Sequence, residues 1–370
     1  MLHLYVHVPF CGRRCSYCDF AIAVRRVTPS ERFVEVALAE YEMRRAVEGW
    51  GDTPFETVYL GGGTPSRLAP EAITRLLAAF PRSADAEVTL EANPDDVTPA
   101  VTAAWRAAGV NRVSLGVQSF DDRVLTWMHR THDATAARRA FAELRDAGIP
   151  SVSVDLIFAL PEQVEQDLPA DLAAIVGLEP DHVSAYGLTL ERRTPYARWV
   201  ARGAAAPPTD ERYAADFLDV HAALTDAGFE HYEISNFGRP GARSRHNSAY
   251  WSGADYVGLG PSAHGLQGIE RRWNLRDWAA YERAVAAGHD PVAEREVLTP
   301  AQQALERVYL GLRTTDGLAL DEVVDLAPGP LLAAASAGWL TSSDRVRPTP
   351  AGWLVLDALV PALTTFSESG

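Results

Sequence analysis

Three cysteines within eight residues form the part of this sequence best suited to chemistry. Cys11, Cys15 and Cys18 make a C-x3-C-x2-C run directly after the apolar segment from Leu2 to Phe10, and they are the only cysteines among the 370 residues. Cysteines that serve only packing would be scattered, whereas thiolates that share one metal centre must lie close together. Iron–sulfur clusters normally take four thiolates, so three at this spacing indicate a [4Fe–4S] cluster in which one iron has no protein ligand.

Two other interpretations of the cysteines stay open. A structural zinc ion could take the three thiolates together with His7, four residues before Cys11, as a Cys3His set, although such sites usually combine two ligand pairs from separate turns. A disulfide is disfavoured because the cysteine count is odd and no signal peptide is recognisable, so a reducing compartment is expected.

The composition is that of a soluble globular protein, with 47% hydrophobic and 22% charged residues. No apolar run approaches the roughly 20 residues that span a bilayer, so we expect a cytoplasmic protein. The net charge of −15 argues against nucleic acid as a partner. All 34 basic residues are arginine, which excludes a Schiff-base lysine and a Walker A lysine.

Short apolar runs alternate with amphipathic helical patterns from Leu2 to about Phe237, which is typical of repeated βα units. The predicted strands are Leu4–Val8, Thr57–Leu60, Glu87–Glu91, Arg112–Val117, Val152–Ile157 and His182–Tyr186. The predicted helices are Ser30–Glu48, Pro70–Phe80, Pro99–Ala108, Ala134–Ala147, Gln166–Val176 and Asp210–Ala227. Six such units predict an α/β fold with a partial (β/α)6 TIM-type barrel rather than a doubly wound sheet.

Polar residues and glycines lie where each predicted strand ends. They are Cys11, the Gly61–Thr64 turn, Glu91, Gln118 and the Tyr186-Gly187 pair, and Asp155 lies within the fifth predicted strand. Taken singly, most would be turn or loop-edge residues without a role. In barrels, however, the carboxyl ends of the strands form one face that carries the active site, so these groups should converge with the cysteine loop.

A C-x3-C-x2-C run after a first strand resembles the signature of radical S-adenosylmethionine (SAM) proteins. In that family the open iron chelates SAM, and an electron from the cluster, supplied by an electron donor, cleaves the sulfonium to a 5'-deoxyadenosyl radical. The resemblance implies that Gly62, Gly63 and Thr64 bind the SAM amino group and that Tyr17 lies against adenine. It further implies SAM contacts or a place near the cluster for Tyr5, Glu91, Gln118, Arg130, Asp155 and Gly187, with Arg130 suited to pair with the SAM carboxylate.

Two segments narrow the resemblance, namely Ser114–Phe120 and Asp155–Pro161, which are similar to the oxygen-independent coproporphyrinogen III oxidase branch. An H-N-x-x-Y-W run made of His246, Asn247, Tyr250 and Trp251 resembles the motif of the heme chaperones in that branch. Phe20 stands where the oxidases carry a fourth cysteine. The resemblance therefore implies a chaperone that binds heme and passes it to an acceptor protein, with a respiratory-chain acceptor and peripheral membrane association compatible with it. Radical decarboxylation of coproporphyrinogen III is the alternative.

The role of His246 has two interpretations. A neutral imidazole is a common axial ligand of heme iron, and the neighbouring Tyr250 and Trp251 could pack on a porphyrin face. Alternatively, His246, Asn247 and Tyr250 form a satisfied polar network that anchors a loop. His264 competes for the ligand role, and several arginines could receive the heme propionates: Arg239, Arg243, Arg245, Arg271, Arg272 and Arg276.

The last part of the sequence is predicted to be a separate module. Helical patterns at Thr299–Leu312, from Asp321–Asp325 and at Leu331–Ala337 precede a small hairpin before Pro348, and a last helix runs to Leu363, which is a winged-helix-like order. From Val297 onward four arginines face eight acidic residues, so this module is not expected to bind DNA. The predicted domains are a radical SAM barrel at 1–237, a heme or substrate region at 238–296 and the helical module at 297–370.

Overall fold

The computed structural model describes residues 1–323 and 326–364. Its strands are β1 (Leu2–Val8), β2 (Phe10–Cys11), β3 (Ala23–Val24), β4 (Phe55–Gly62), β5 (Arg82–Ala92), β6 (Arg112–Gln118), β7 (Ser151–Phe158), β8 (His182–Gly187), β9 (Glu230–Glu233), β10 (Asn236–Gly238), β11 (Tyr256–Leu259), β12 (His264–Gln267), β13 (Glu270–Asn274), β14 (Val292–Val297), β15 (Leu318–Ala319), β16 (Leu340–Ser342) and β17 (Arg345–Pro348).

The α-helices are α1 (Ser30–Val47), α2 (Pro70–Ala78), α3 (Pro99–Ala107), α4 (Asp122–Trp127), α5 (Ala134–Asp146), α6 (Leu168–Leu178), α7 (Pro195–Ala201), α8 (Asp210–Asp226), α9 (Arg245–Trp251), α10 (Trp278–Ala286), α11 (Pro300–Gly311), α12 (Pro328–Ser336), α13 (Pro350–Trp353) and α14 (Leu356–Leu363). Single 3₁₀ turns lie at Pro65–Arg67, Pro94–Asp96, Glu162–Val164 and Leu320–Val323.

The six predicted strands are present and pair in parallel in the order β1-β4-β5-β6-β7-β8. The register pairs Leu4 with Val58 and Val58 with Val88, so apolar side chains of neighbouring strands lie side by side. Leu4, Val58 and Val88 belong to one apolar core together with Phe33 of α1 and Ile73 of α2. The prediction of a partial (β/α)6 barrel is thereby confirmed, because helices cover a parallel sheet whose carboxyl ends share one face.

Side-chain caps explain where several helices begin. Asp133 accepts a hydrogen bond from the Ala136 N–H, and α5 starts at the next residue as predicted. The predicted start of α6 at Gln166 is two residues early, because Asp167 is the cap and accepts from the Ala170 N–H. The short helices α4 and α7 were not predicted, although Asp121 and Thr194 cap them in the same way.

The sheet does not stop at the barrel. Strand β11 pairs in parallel with β1, aligning Val257 with Leu4, and β12, β13 and β14 follow in antiparallel order. At the other edge β10 and β9 continue antiparallel from β8, which gives 12 strands in one sheet. The segment 238–296 therefore extends the barrel sheet beside β1. Its status as a separate domain stays a prediction.

The C-terminal segment has the predicted winged-helix-like order. Helices α11 and α12 accompany a three-stranded sheet, β15-β17-β16, and α13 and α14 follow it. Trp353 packs this segment on the barrel, because its ring lies against His231 of β9 at a centroid distance of 4.4 Å. Its indole N–H donates to the Leu312 carbonyl at 3.1 Å, which joins α13 to the end of α11 within the segment. Among the residues that the structure describes, no helix is both long and apolar enough to cross a lipid bilayer.

Candidate functional site

A cavity of about 570 Å³ opens at the carboxyl ends of the barrel strands, and we call it the cluster cavity. All three cysteines line it. So do nine of the ten residues predicted to contact SAM: Tyr17, Gly62, Gly63, Thr64, Glu91, Gln118, Arg130, Asp155 and Gly187. Tyr5 is the exception. The strand-end residues thus converge with the cysteine loop, as a barrel requires.

The cysteine loop is fixed at both of its ends. Strands β2 and β3 pair with each other, and the Ala23 N–H donates to the Pro9 carbonyl at 2.7 Å. In the middle of the loop, the Ser16 N–H donates to the Met128 carbonyl at 3.1 Å. All three thiols are free, with Cys11 buried and the other two half-buried.

Two polar side chains point at the cysteine sulfurs. The Thr64 hydroxyl donates to Cys11 Sγ at 3.3 Å, and Arg130 Nη1 donates to Cys15 Sγ at 3.7 Å. Burial raises the pKa of the Cys11 thiol and that of the Cys18 thiol, the latter to about 12. Ionising these buried thiols needs strong positive charge nearby, which bound iron provides.

The geometry does not support the zinc alternative. A single zinc ion needs all four ligands at about 2.0–2.3 Å from one point, and no three of the described histidine, cysteine and acidic side chains are grouped closely enough to hold one ion. His7 is also engaged, since Nε2 bonds to the Ala21 carbonyl at 2.9 Å and Nδ1 to the Tyr5 hydroxyl at 3.2 Å. Thiolates around a [4Fe–4S] cluster each bind a different iron and stand further apart, which suits this loop.

Glycines shape the turn after β4. Gly62 has φ +109°, and a β-carbon there would lie 2.6 Å from the His7 ring. A β-carbon on Gly63 would lie 2.8 Å from the backbone of Pro9. Only glycine fits at either position, so the Gly62–Thr64 backbone forms part of the cavity wall beside Cys11.

Two half-buried carboxyl groups line the cluster cavity. Glu91 accepts hydrogen bonds from the Gly62 N–H and the Tyr59 hydroxyl, both at 2.9 Å, and burial raises its pKa to about 7. Asp155 accepts from the Ser114 hydroxyl at 2.9 Å, and burial raises its pKa to about 6. Binding a cation in the cavity would favour the ionised form of both groups.

Arg130 is held in place by the end of β5 and by β6. Its Nη2 donates to Asn93 Oδ1 and to the Gly116 carbonyl, each at 2.6 Å. Sequence reasoning did not assign Asn93 a role, although it follows directly on the third strand. Asn93 aims a guanidinium whose remaining donors face a cavity suited to a carboxylate.

A second cavity adjoins the cluster cavity, and Asp19, Phe20 and Gly62 line both. The second cavity also contains Tyr5 and His7 of β1, two residues of α9, several residues of β11 to β13 and three residues of α11: Tyr250, Trp251, Tyr256, His264, Leu266, Arg271, Glu306, Tyr309 and Leu310. Arg276 lies at its rim. Sequence reasoning gave no role to the α11 residues, because a contact between segments this far apart leaves no local pattern.

The H-N-x-x-Y-W residues divide between this cavity and the interior. Tyr250 and Trp251 line the second cavity, whereas His246 and Asn247 line neither cavity. His246 is 1% exposed and uses both ring nitrogens, bonding Thr57 Oγ1 at 2.6 Å and the Tyr250 hydroxyl at 2.9 Å. Its ring stacks on Tyr59 at 5.0 Å. These contacts match the polar-network interpretation, in which the imidazole anchors α9.

Most of the arginines considered for propionates are engaged elsewhere. Arg245 pairs with Glu56 and Asp85, Arg243 with Glu230 and Asp316, and Arg272 with Glu48 and Asp290. Arg239 donates to the Ala227 carbonyl at 2.5 Å. Only Arg271 and Arg276 of the six line the second cavity.

Comparison with known proteins gives the family. The model of the radical SAM superfamily matches residues 5–175. The heme chaperone HemW of Mycobacterium tuberculosis is 40% identical, over 97% of this chain and 94% of that protein. HemW of Bacillus subtilis is 33% identical, over 86% of this chain and 85% of that protein. The chain belongs to the HemW family of radical SAM proteins.

The solved structure of a more distant protein has the same fold as this HemW-family chain. Coproporphyrinogen III oxidase (HemN) from Escherichia coli superimposes with a TM-score of 0.82 at 23% identity, covering 99% of this chain and 90% of that one. At this identity the likeness concerns the fold alone. Radical SAM membership implies a [4Fe–4S] cluster and SAM, and the lining of the cluster cavity fits both groups.

Proposed function

We propose that this HemW-family protein is a heme chaperone that binds heme in the second cavity and passes it to an acceptor protein. The observation that carries the proposal is the second cavity itself. Tyr250, Trp251 and Tyr256 provide aromatic surface for a porphyrin, and Arg276 provides positive charge at the rim. The relatives that are named as heme chaperones support the same proposal.

We further propose the residues that hold the radical SAM groups. Cys11, Cys15 and Cys18 bind the cluster, the Gly62–Thr64 backbone and Glu91 orient the SAM amino group, and Arg130 pairs with the SAM carboxylate. When bound, the cluster supplies the electron that cleaves SAM reductively. This machinery would support or gate heme transfer, and it requires an external electron donor.

The partners and the location follow from the chaperone proposal. We propose an acceptor in the respiratory chain and a cytoplasmic protein that reaches the membrane through that acceptor. The division into a barrel at 1–237, a heme region at 238–296 and a helical module at 297–370 belongs to the same proposal.

The test is an anaerobic titration of the cluster-reconstituted protein with ferric heme, followed by absorbance in the Soret region. Saturable binding near one heme per chain is expected. Trp251→Ala should weaken binding about tenfold, because it removes an aromatic wall. Trp339→Ala is the matched control, since Trp339 lies in the C-terminal segment outside the lining of the second cavity.

A negative result would restore the enzymatic alternative. If the wild type shows no saturable heme binding, the chaperone proposal fails. Anaerobic turnover of coproporphyrinogen III with SAM and a reductant would then be measured, and decarboxylated product would identify an oxidase.

A further inference from the structure

Three histidines lie in the second cavity or directly behind it, and two of them are fully engaged. His246 is buried and bonds Thr57 and Tyr250 through its two ring nitrogens. His7 likewise bonds the Ala21 carbonyl and the Tyr5 hydroxyl. Either ring would have to give up a buried hydrogen bond before it could bind iron, which would leave a polar partner unsatisfied.

His264, the third histidine, differs from the other two in its exposure and in the hydrogen bonding of its ring. It starts β12, its side chain is exposed, and it lines the second cavity. Within residues 1–323 and 326–364, neither of its ring nitrogens makes a hydrogen bond with another residue. Its ring stacks on Trp273 at a centroid distance of 5.5 Å and an angle of 22°, which fixes the orientation of the imidazole.

The electrostatics around His264 suit a neutral ligand. Partial burial, and next the charge of Arg271, lower its pKa. This shift favours the neutral imidazole, and a neutral ring nitrogen is the form that binds heme iron.

The two arginines that line the second cavity differ in whether their charge is already paired with a carboxylate. Arg271 already binds Glu306 with contacts of 2.6 and 2.7 Å and lies 3.5 Å from Glu296. Arg276 is exposed and donates to the Asp19 carbonyl at 2.5 Å, and no carboxylate of the described residues lies within 4.0 Å of it. Its charge is therefore available to a ligand carboxylate.

We propose that His264, rather than His246, binds the heme iron in the second cavity and that Arg276 receives a heme propionate. The inference rests on the proposed heme-binding function and adds the residues that recognise the two ends of the ligand. Aromatic side chains of α9 and β11 line the same cavity as these two polar groups and would cover the porphyrin face.

The test uses two ligands, ferric heme and metal-free protoporphyrin IX, because only the first can be bound through iron. His264→Ala should change the Soret maximum of bound ferric heme and weaken its binding at least about tenfold. The same variant should bind metal-free protoporphyrin as the wild type does. Added imidazole should restore the ferric heme spectrum of His264→Ala. His289→Ala removes an exposed histidine at the end of α10 and serves as the matched control.

Arg276 is tested with the same two ligands. Arg276→Gln should weaken both about tenfold, since both carry propionates. Arg283→Gln, an exposed arginine in α10, should leave both unchanged.

The outcomes separate the inference from the function on which it rests. If wild type fails to bind ferric heme, the proposed function itself is wrong. If wild type binds but His264→Ala keeps the wild-type spectrum and affinity, the function stands and the assignment of His264 is overturned. Equal loss of metal-free protoporphyrin in His264→Ala would also overturn it, because the residue would then shape the cavity rather than bind iron.

Discussion

Glu91 connects the Gly62–Thr64 turn to the barrel interior through two hydrogen bonds. Its carboxyl accepts from the Gly62 N–H on one side and from Tyr59 on the other, and Tyr59 stacks on His246. Burial raises its pKa to about 7, so the group is poised between charged and neutral forms at physiological pH. A buried acid with this pKa in a cavity is more typical of a ligand site than of a structural core.

The affinity for SAM should therefore rise with pH. As pH increases through about 7, Glu91 ionises, and its negative charge favours the cationic sulfonium and amino groups of SAM. Isothermal titration calorimetry between pH 6 and 8 should show this increase in the wild type and a flatter profile in Glu91→Gln. An identical pH profile in the variant would exclude Glu91 as the titrating group.

Each cysteine should be needed for the cluster. Cys11→Ser, Cys15→Ser and Cys18→Ser should each lose the iron and sulfide content of the reconstituted protein and its reductive cleavage of SAM, because a hydroxyl is a poor replacement for a thiolate. Val27→Ala is a suitable control, since this side chain is 80% exposed just beyond the loop. A serine variant with a full iron and sulfide content would contradict the ligand assignment.

Residues at strand ends could be predicted from the sequence, and residues set by distant contacts could not. Glu91 was found because it closes an apolar run, and Asp155 because it is an acid inside one, in the carboxyl-terminal half of its strand. The environment of His246 depends on Thr57 and Tyr59 of another strand, nearly 190 positions away, so no local pattern reveals it.

Helix α9 is fastened to the barrel by its own first residues. Glu87 of β5 accepts hydrogen bonds from the backbone N–H groups of Arg245 and His246, at 2.9 and 3.0 Å. Ser244 caps the same helix by accepting from the Asn247 N–H. The position of Tyr250 and Trp251 in the second cavity thus depends on contacts made one turn earlier.

His246→Ala should consequently act on stability. It removes a buried ring with two hydrogen bonds and leaves the Tyr250 hydroxyl without this partner, while Thr57 keeps its bond to His3, so the loss should be about 2–4 kcal/mol. Urea denaturation would measure the loss. His289→Ala, at an exposed site, should change stability by less than about 0.5 kcal/mol. A wild-type unfolding midpoint for His246→Ala would refute the anchoring role.

Element types were largely predictable, whereas strand neighbours were not. Helices α1, α5 and α8 begin at the predicted residues, and Asp133 and Thr209 cap the last two, since propensity and capping are local properties. The pairing of β11 with β1 joins residues about 250 positions apart, and a four-residue strand carries no sign of its partner. That pairing is what brings the H-N-x-x-Y-W helix beside the first strand.

At the scale of the whole molecule, the C-terminal segment completes the second cavity. Tyr309 and Leu310 of α11 line that cavity, and Trp353 binds the Leu312 carbonyl just after the helix ends. A contact at the C-terminal end of α11 therefore helps to position residues of the proposed heme site. The segment acts here as a wall rather than as a DNA-binding wing.

Trp353→Ala should loosen this wall while sparing the cluster. Removing a buried tryptophan costs about 3–5 kcal/mol of folding stability. This loss should weaken two contacts, that of α13 with α11 and that of α13 with the barrel. Hydrogen exchange should show reduced protection in 300–312 and 340–348, and heme affinity should fall while iron content stays unchanged. Trp339→Ala, at a site 37% exposed, should do neither. Unchanged exchange in Trp353→Ala would show that other contacts hold the segment.

Gly62 lines both cavities, and this shared position bears on how the protein would be loaded with heme. A ligand of the cluster cavity that engages Glu91 or the Gly62 backbone would contact a residue that also lines the second cavity. Any factor by which SAM changes the affinity for heme must equal the factor by which heme changes the affinity for SAM. With such coupling, the fraction of protein loaded with heme would follow the concentration of SAM in the cell, and cargo loading would be tied to methyl-donor metabolism.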